Sequence, residues 1–539
     1  SGQSAAQVGK IINNADVTIT NTSKNLKGLV AYDGGEITNN AVLINNSTRD
    51  RVAPKDVGAV GMAMIGTSSK GTNSSTARLL LQNSGTELSV GTYNEGTFLN
   101  NGEIEVQGNK GIGVYSIGTS SNTTLNNKIT INGDNSVGLF SDNATNFNVG
   151  SLTLKVDGTD AYAFYAKNGG KFNITDNATV NVGSGSIGFQ YVGSSLSNPV
   201  NSADITAMFS ITPSKTLTFN LDPNSYAMVI QKAQISLSTL GNYSSIMPTG
   251  MTMTGSDRVK IYKGALILDE DSNIDTTAAT NVKFRNLPIS SSTITLNTGK
   301  IITGTQANLL GIGQENNDET PLTPNTDITL TNNGTINLSG ANCTGMYTSY
   351  GVLDNRATGV ITTGSNGVGL YGTNGTVTTN SGRVEFGDGG IGVYGTNITP
   401  GSTPLYGNKE ITITHGGVIK STGVSKGFGI IADNKGSVGV TQSQININAG
   451  SNIDLSSVTN ASIGDLIGVY AKNTTVNSAG DMTIGANGIA MYAEDSNVIL
   501  TGGTINITGN NALGFYLKGN TNFSGTGTIN VSGQGVTIF

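Results

Sequence analysis

Ile104-Glu105-Val106-Gln107-Gly108, a two-residue spacer, then Gly111-Ile112-Gly113-Val114-Tyr115 is the phrase that decides the fold. Its first part alternates apolar and polar residues, the mark of a half-buried strand. Its second part is a glycine-bearing strand that ends in an aromatic. The phrase returns as Ile129-Thr130-Ile131-Asn132-Gly133 with Val137-Gly138-Leu139-Phe140, then as Leu154 and Val156 with Tyr165, then as Val180 and Val182 with Tyr191. The closing aromatics are 25, 25 and 26 residues apart. Ile336-Asn337-Leu338-Ser339-Gly340 reopens the series, which runs through Tyr347, Tyr371 and Tyr394, and later through Tyr470, Tyr492 and Tyr516.

A fixed period of this size marks a solenoid. The Leu-x-x-Leu-x-Leu pattern of leucine-rich repeats does not recur, and no segment holds a helical period over three turns. Alternation by two dominates, as in Glu410-Ile411-Thr412-Ile413-Thr414. The expected fold is therefore all-β: a right-handed parallel β-helix (β-solenoid) with rungs of about 22–26 residues and loop excursions. One coil cannot bury its inward side chains alone, but coils stacked at ~4.8 Å pair each strand with its neighbours above and below. Asn-Asn-Gly at 100–102 and 332–334 suits left-handed corners, and stacked asparagines can form amide ladders.

Composition agrees. Gly is 75 of 539 residues, about twice the usual ~7% share, and charged residues are 12% against an ordinary ~25%. The net charge of −6 and pI near 5.0 argue against nucleic acid as a partner, which normally demands a basic stripe. The one cysteine, Cys343, cannot form an internal disulfide. No apolar run of about 18 residues exists, so no transmembrane segment is expected in this chain. The repeat is still running at Phe539, which reads as a boundary within a longer protein.

The rhythm breaks in four places, at 49–57, 194–263, 311–326 and 397–409. The expected organisation is N-terminal β-helix rungs over 1–193, an irregular excursion or subdomain on the rod over 194–263, and continuing rungs over 264–539. Loops on a rigid scaffold carry function more often than the scaffold does. The candidate ligand-binding residues are accordingly Tyr243, Met247 and Met251 in the first long break, Glu315, Asp318 and Glu319 in the acidic one, and Tyr347, Tyr371 and Tyr394 from the repeat.

No catalytic, cofactor or metal constellation is legible. His415 lacks a partner motif and reads as a surface residue in a Thr-His-Gly-Gly turn. Gly-x-Ser-x-Gly, HExxH and CxxC are missing. The densest acids, Asp269-Glu270-Asp271 with Asp275, are the best opening for a carboxylate-using polysaccharide-degrading β-helix, but such a run is most often a solvated corner. Strict alternation puts Ile112 and Val114 on one face of their strand and Gly113 and Tyr115 on the other. Tyr115 then points outward unless a bulge intervenes. Equivalent rings would stack along the rod and either stiffen a coil edge or offer a stripe for sugar rings.

The pattern Asn-x-Gly-x-Ile-x-Val-x-Gly followed by Gly-Ile/Val/Leu-Tyr resembles the repeats of very large autotransporter adhesins, especially those of fusobacteria. Asn101 to Gly108 and Gly133 to Phe140 carry it best, and it covers most of 96–193 and 328–539. The resemblance implies a type V secretion passenger, exported across the bacterial outer membrane to the cell surface. Its partners would be a host cell-surface protein or glycan, or partner bacteria, with the parent protein anchored by an outer-membrane β-barrel. It brings no shared catalytic residues. The alternatives are a β-helical polysaccharide-degrading enzyme and a vacuolating-cytotoxin-like passenger.

Overall fold

The computed structural model describes residues 9–19, 26–46, 59–82, 89–256, 258–275, 289–315, 328–397, 410–435 and 443–537. They form a parallel β-helix divided into two compact units: 1–234 with 242–260, and 235–241 with 261–539. In the first unit a representative coil runs Thr97–Asn100, Glu103–Val106, Ile112–Ile117. The following coil repeats it as Asn122–Leu125, Lys128–Ile131, Val137–Asp142, each strand pairing in parallel with its counterpart one coil away. In the second unit Thr329–Asn332, Thr335–Leu338 and Thr344–Ser349 pair likewise with Val352–Asn355, Val360–Thr363 and Val368–Thr373. Equivalent corner residues lie 25 apart at Asn101 and Asn126, and 23 apart at Asn332 and Asn355, within the expected rung length.

The core is the column of inward side chains. Phe98, Val106, Val114, Ile336, Leu338 and Met346 are all essentially inaccessible. Each such burial stabilises by roughly 1.5–3 kcal/mol, and the contribution accrues only when the next coil closes over it.

The third strand of each coil does not alternate strictly. In Ile112–Ile117, Gly113 and Val114 are both buried, while Ile112 clusters with Tyr115, Ile117, Val90, Tyr93, Val137 and Phe140. Pairing between coils skips the glycine, linking Ile112 to Val137 and then Val114 to Leu139. Two successive residues thus face inward, a kink repeated at the same place in each coil, and it corrects the expectation that Ile112 and Val114 share a face. Glycine is required there because a Cβ on Gly113 would lie 2.6 Å from the Gly138 carbonyl oxygen of the next coil. The same approach recurs at Gly345, 2.6 Å from the Gly369 oxygen. From Val114 onward the strand alternates in the ordinary way, so Tyr115 and its equivalents point outward as alternation requires, and it is Ile112 that leaves the inward column.

The asparagine corners form buried amide ladders. Asn13 donates to Asn39, Asn39 to Asn73 and Asn73 to Asn100, at 2.8, 3.0 and 2.8 Å. In the second unit Asn332 donates to Asn355 and Asn355 to Asn380, at 2.8 and 2.7 Å. Neither Asn100 nor Asn332 adopts a positive φ; that conformation falls at other corners, such as Lys110, Asn135, Asn342 and Asn366.

His415 is not a surface residue. It is fully buried in register with Asn380 and ends the second ladder. Its Nδ1 lies 3.2 Å from Asn380 Nδ2, and its Nε2 lies 3.3 Å from the Asn452 carbonyl. A neutral ring protonated on Nε2 satisfies both contacts. Burial pulls its pKa down to about 4, against the raising effect of the backbone carbonyls of Asn452 and Asn380.

Residues 194–263 hold both coil and insertion. Phe209–Ile211, Leu217–Leu221 and Tyr226–Gln231 pair in register with the preceding coil. The step from Asn181 to Asn220 is 39 residues, because the helix α1, Ser202–Met208, is inserted. Asn201 caps α1 through the amides of Ala203 and Asp204, and Asp204 returns a contact to the Asn201 amide at 3.0 Å. This reciprocal box satisfies otherwise orphaned helix-end donors. Phe209, just past α1, packs against Phe164, Phe172 and Phe189 at ring separations of 5.2, 5.7 and 5.2 Å. That aromatic core anchors the insertion.

Candidate functional site

The outward aromatics form two kinds of surface. In the second unit Tyr347, Tyr371 and Tyr394 follow one another at ring separations of 5.3 and 5.0 Å, the last pair only 4° from parallel. Tyr470, Tyr492 and Tyr516 stack at 5.0 and 4.9 Å. Ile431 holds the register position between Tyr394 and Tyr470. Each interior ring therefore spends its faces on its neighbours and shows solvent only an edge and a hydroxyl. Tyr371, held between two rings, has the geometry of a coil-edge brace. Beside the second triad, Glu494 pairs with Lys472 and Lys518 at 3.4 and 3.3 Å, a short alternating charge ladder.

In the first unit the ladder runs Tyr93, Tyr115, Phe140, Tyr165. Tyr115 and Phe140 are stacked at 4.6 Å, and the Tyr115 hydroxyl donates to Asp142 at 3.1 Å. Tyr165 differs. It meets Phe140 and Tyr162 edge to face, at 80° and 84°. The next coil sets Gln190, not an aromatic, opposite it. Tyr191, expected as the next rung of the ladder, is one residue out of register and pairs with Ile230. The 26-residue interval is the trace of that slip.

Where the ladder stops, a cleft of about 600 Å³ opens. The coil face supplies Tyr165, Gln190, Tyr191 and Gln231. The corner turn supplies Lys167, Asn168 and Lys171, the following coil Lys232, and α1 supplies Asp204, Ala207 and Met208. Asn168 and Lys232 sit at positive φ, which sharpens the turns carrying them. Gln190 donates to Gln231, fixing the two amides against each other. Burial, then the neighbouring Asp204 carboxylate to which its hydroxyl donates, pushes Tyr191 up to about 12. Asp204 is thereby committed to the helix cap and to Tyr191. Lys167, Lys171 and Lys232 are exposed and form no ion pair among the described residues.

The other expected residues lie elsewhere. Tyr243 and Met247 are half-buried in and just after a short 3-10 turn, Tyr243–Ile246, that packs on α1. Met251 faces the core at 7% exposure, opposite Leu217. Glu315 ends the strand Leu310–Glu315, and its side chain, like Asp318 and Glu319, falls outside the described residues. Three of the four acids at 269–275 accept backbone hydrogen bonds. Asp269 accepts from the Ser238 amide at 2.9 Å at the start of α2, Leu237–Gly241. Asp271 accepts from the Ile301 amide at 2.9 Å, and buried Asp275 from the amides of Thr305 and Gln306 at 2.7 and 3.0 Å. Burial alone would raise the Asp269 carboxyl, yet the Ser238 hydroxyl and amide hold it below its ordinary value, the opposite of what a general acid needs.

Among the described residues no group of three histidine, cysteine or acidic side chains is placed to hold a metal. No described helix is long and apolar enough to cross a membrane, which says nothing of a β-barrel. No protein-family model, curated protein or solved structure matches this chain.

Proposed function

We propose that this chain is part of the passenger of an autotransporter adhesin, carried on the bacterial surface and attaching to host cells or to other bacteria through a protein or glycan receptor. The observation that supports it most is the division of labour in the first unit. Buried asparagines of successive coils bond one another, and the insertion that carries α1 supplies one wall of a polar cleft. A rigid scaffold with a lateral recess suits recognition rather than turnover. The repeat phrase, which resembles those of fusobacterial adhesins, points the same way. So does a chain with one buried, unpaired cysteine, since secretion through an outer-membrane barrel favours chains free of disulfides.

The test is attachment. Purified protein should bind epithelial cells or partner bacteria saturably, and unlabelled protein should compete. Absence of saturable binding to either would defeat the adhesin reading. Release of reducing ends from acidic polysaccharides would favour a β-helical enzyme instead.

A further inference from the structure

We propose that the cleft beside α1 is a binding site for an acidic saccharide, a pyranose bearing a carboxylate or sulfate. The inference rests on the reading of the chain as a surface binder and goes further by naming the site and its ligand.

Four features converge. First, the aromatic ladder terminates here. Tyr165 has no parallel partner, and Gln190 rather than another ring occupies the next coil. A ring left unstacked at a cleft wall suits the apolar face of a sugar, whereas Tyr371, held between two rings, does not. Second, the polar groups are of the kinds that read hydroxyls: the amide of Asn168, positioned by its bond to Asp142 at 2.7 Å, and that of Gln231, oriented by its hydrogen bond from Gln190.

Third, the charge is one-sided. Three lysines line the cleft against one carboxylate, and that carboxylate is occupied by Tyr191 and by the Asn201 amide. Elsewhere in the chain lysines are commonly paired, as Lys215 is with Asp176 at 2.7 Å and Lys260 with Asp160 at 3.1 Å. Three unpaired cations around one recess, in a protein of net charge −6, are a local attraction for an anion. Fourth, the walls are braced. Phe209 fixes the end of α1 in the aromatic core, and the capping box fixes its start, so the recess is formed before any ligand arrives.

The experiment uses the whole chain. Binding of 3′-sialyllactose (carboxylate), 6-sulfogalactose (sulfate) and lactose (neutral) is measured by saturation-transfer NMR and calorimetry. Wild type, Lys171→Gln/Lys232→Gln and Tyr165→Ala are compared, with circular dichroism as the check on folding. The expected result is binding of one or both acidic sugars and not lactose. That binding should weaken roughly tenfold or more in the double-lysine variant, the loss of at least one of two charge-assisted contacts, and fall as salt is raised. The ratio between the two acidic sugars distinguishes carboxylate from sulfate.

Lactose bound as well as the acidic sugars, or acidic-sugar binding untouched by the lysine changes, would overturn the assignment. So would a wild-type protein that binds cells but neither acidic sugar, an outcome that leaves the adhesin reading standing. Sugar binding without attachment to any cell would do the reverse.

Discussion

The two units build their outward aromatic faces from the same phrase and arrive at different surfaces. In the second, coils of near-constant length set Tyr347, Tyr371 and Tyr394 one above another, and the rings close on themselves. In the first, Tyr115 and Phe140 stack in the same way until a coil of ordinary length sets Gln190 opposite Tyr165, leaving Tyr165 at a cleft that the following insertion completes. A repeat that stays in phase closes its rings on one another, and one that slips leaves a ring without a stacked partner. The physical cause is register: stacking needs an aromatic at the same position on successive coils, and one added residue places Tyr191 beside the column rather than in it.

The strongest attack on that comparison strikes what the units share. Gly345→Val should destabilise the second unit by about 3 kcal/mol or more, because its Cβ meets a backbone oxygen that cannot give way. Gly113→Val should do the same in the first. Hydrogen exchange should show loss of protection in the coils flanking each change. Equal protection in mutant and wild type would mean that the close approach of successive coils does not require glycine at these positions.

His415 offers the next largest effect, confined to the second unit, where it takes the place that Leu125 takes in the first. Its folded pKa is depressed to about 4 from an ordinary 6.5, so the folded state disfavours protonation. The stabilisation is whole above about pH 6.5 and is lost as pH falls towards 4. The loss is about 3 kcal/mol for a shift of this size. His415→Asn extends the amide ladder and should flatten that part of the acid denaturation curve. An unchanged curve would mean the acid transition belongs to the carboxylates.

Tyr371→Ala and Tyr165→Ala separate brace from site directly. Removing Tyr371 breaks two ring contacts and should cost about 2 kcal/mol in chemical denaturation while leaving saccharide binding intact. Removing Tyr165 should cost less stability and abolish binding. The reverse pattern would exchange their roles. The smallest effect is expected from Glu494→Gln, beside the second tyrosine triad. Its ion pairs are solvated, so stability should change by less than about 0.5 kcal/mol, and less again in high salt.

Much of this was legible in the residues. Alternation in Ile104 to Gly108 and the spacing of Tyr115, Phe140 and Tyr165 dictate parallel coils, because no other arrangement buries a period-two strand every two dozen residues. The amide ladder through Asn100 and Asn332 was legible too, since like residues at like corners must meet. Tyr347, Tyr371 and Tyr394 were rightly read as a stack. The cleft was not legible. Its residues are scattered from Tyr165 to Lys232, none belongs to a motif, and the signals that betray it are a one-residue irregularity at Tyr191 and an Asn201-x-x-Asp204 cap. His415 was misread because its neighbours Gly416 and Gly417 suggest an exposed turn, while its burial depends on Asn380 lying one coil away.

The sequence by itself determined the repeat, the strand class, the parallel stacking and the identity of the inward column, because each follows from local periodicity and the need to bury an apolar face. Only the tertiary structure decided what the outward residues do. Whether a tyrosine is a brace or a wall, an aspartate a cap or an acid, a histidine exposed or entombed depends on what the adjacent coil places about 5 Å away, and that is set by register across dozens of residues rather than by any local pattern.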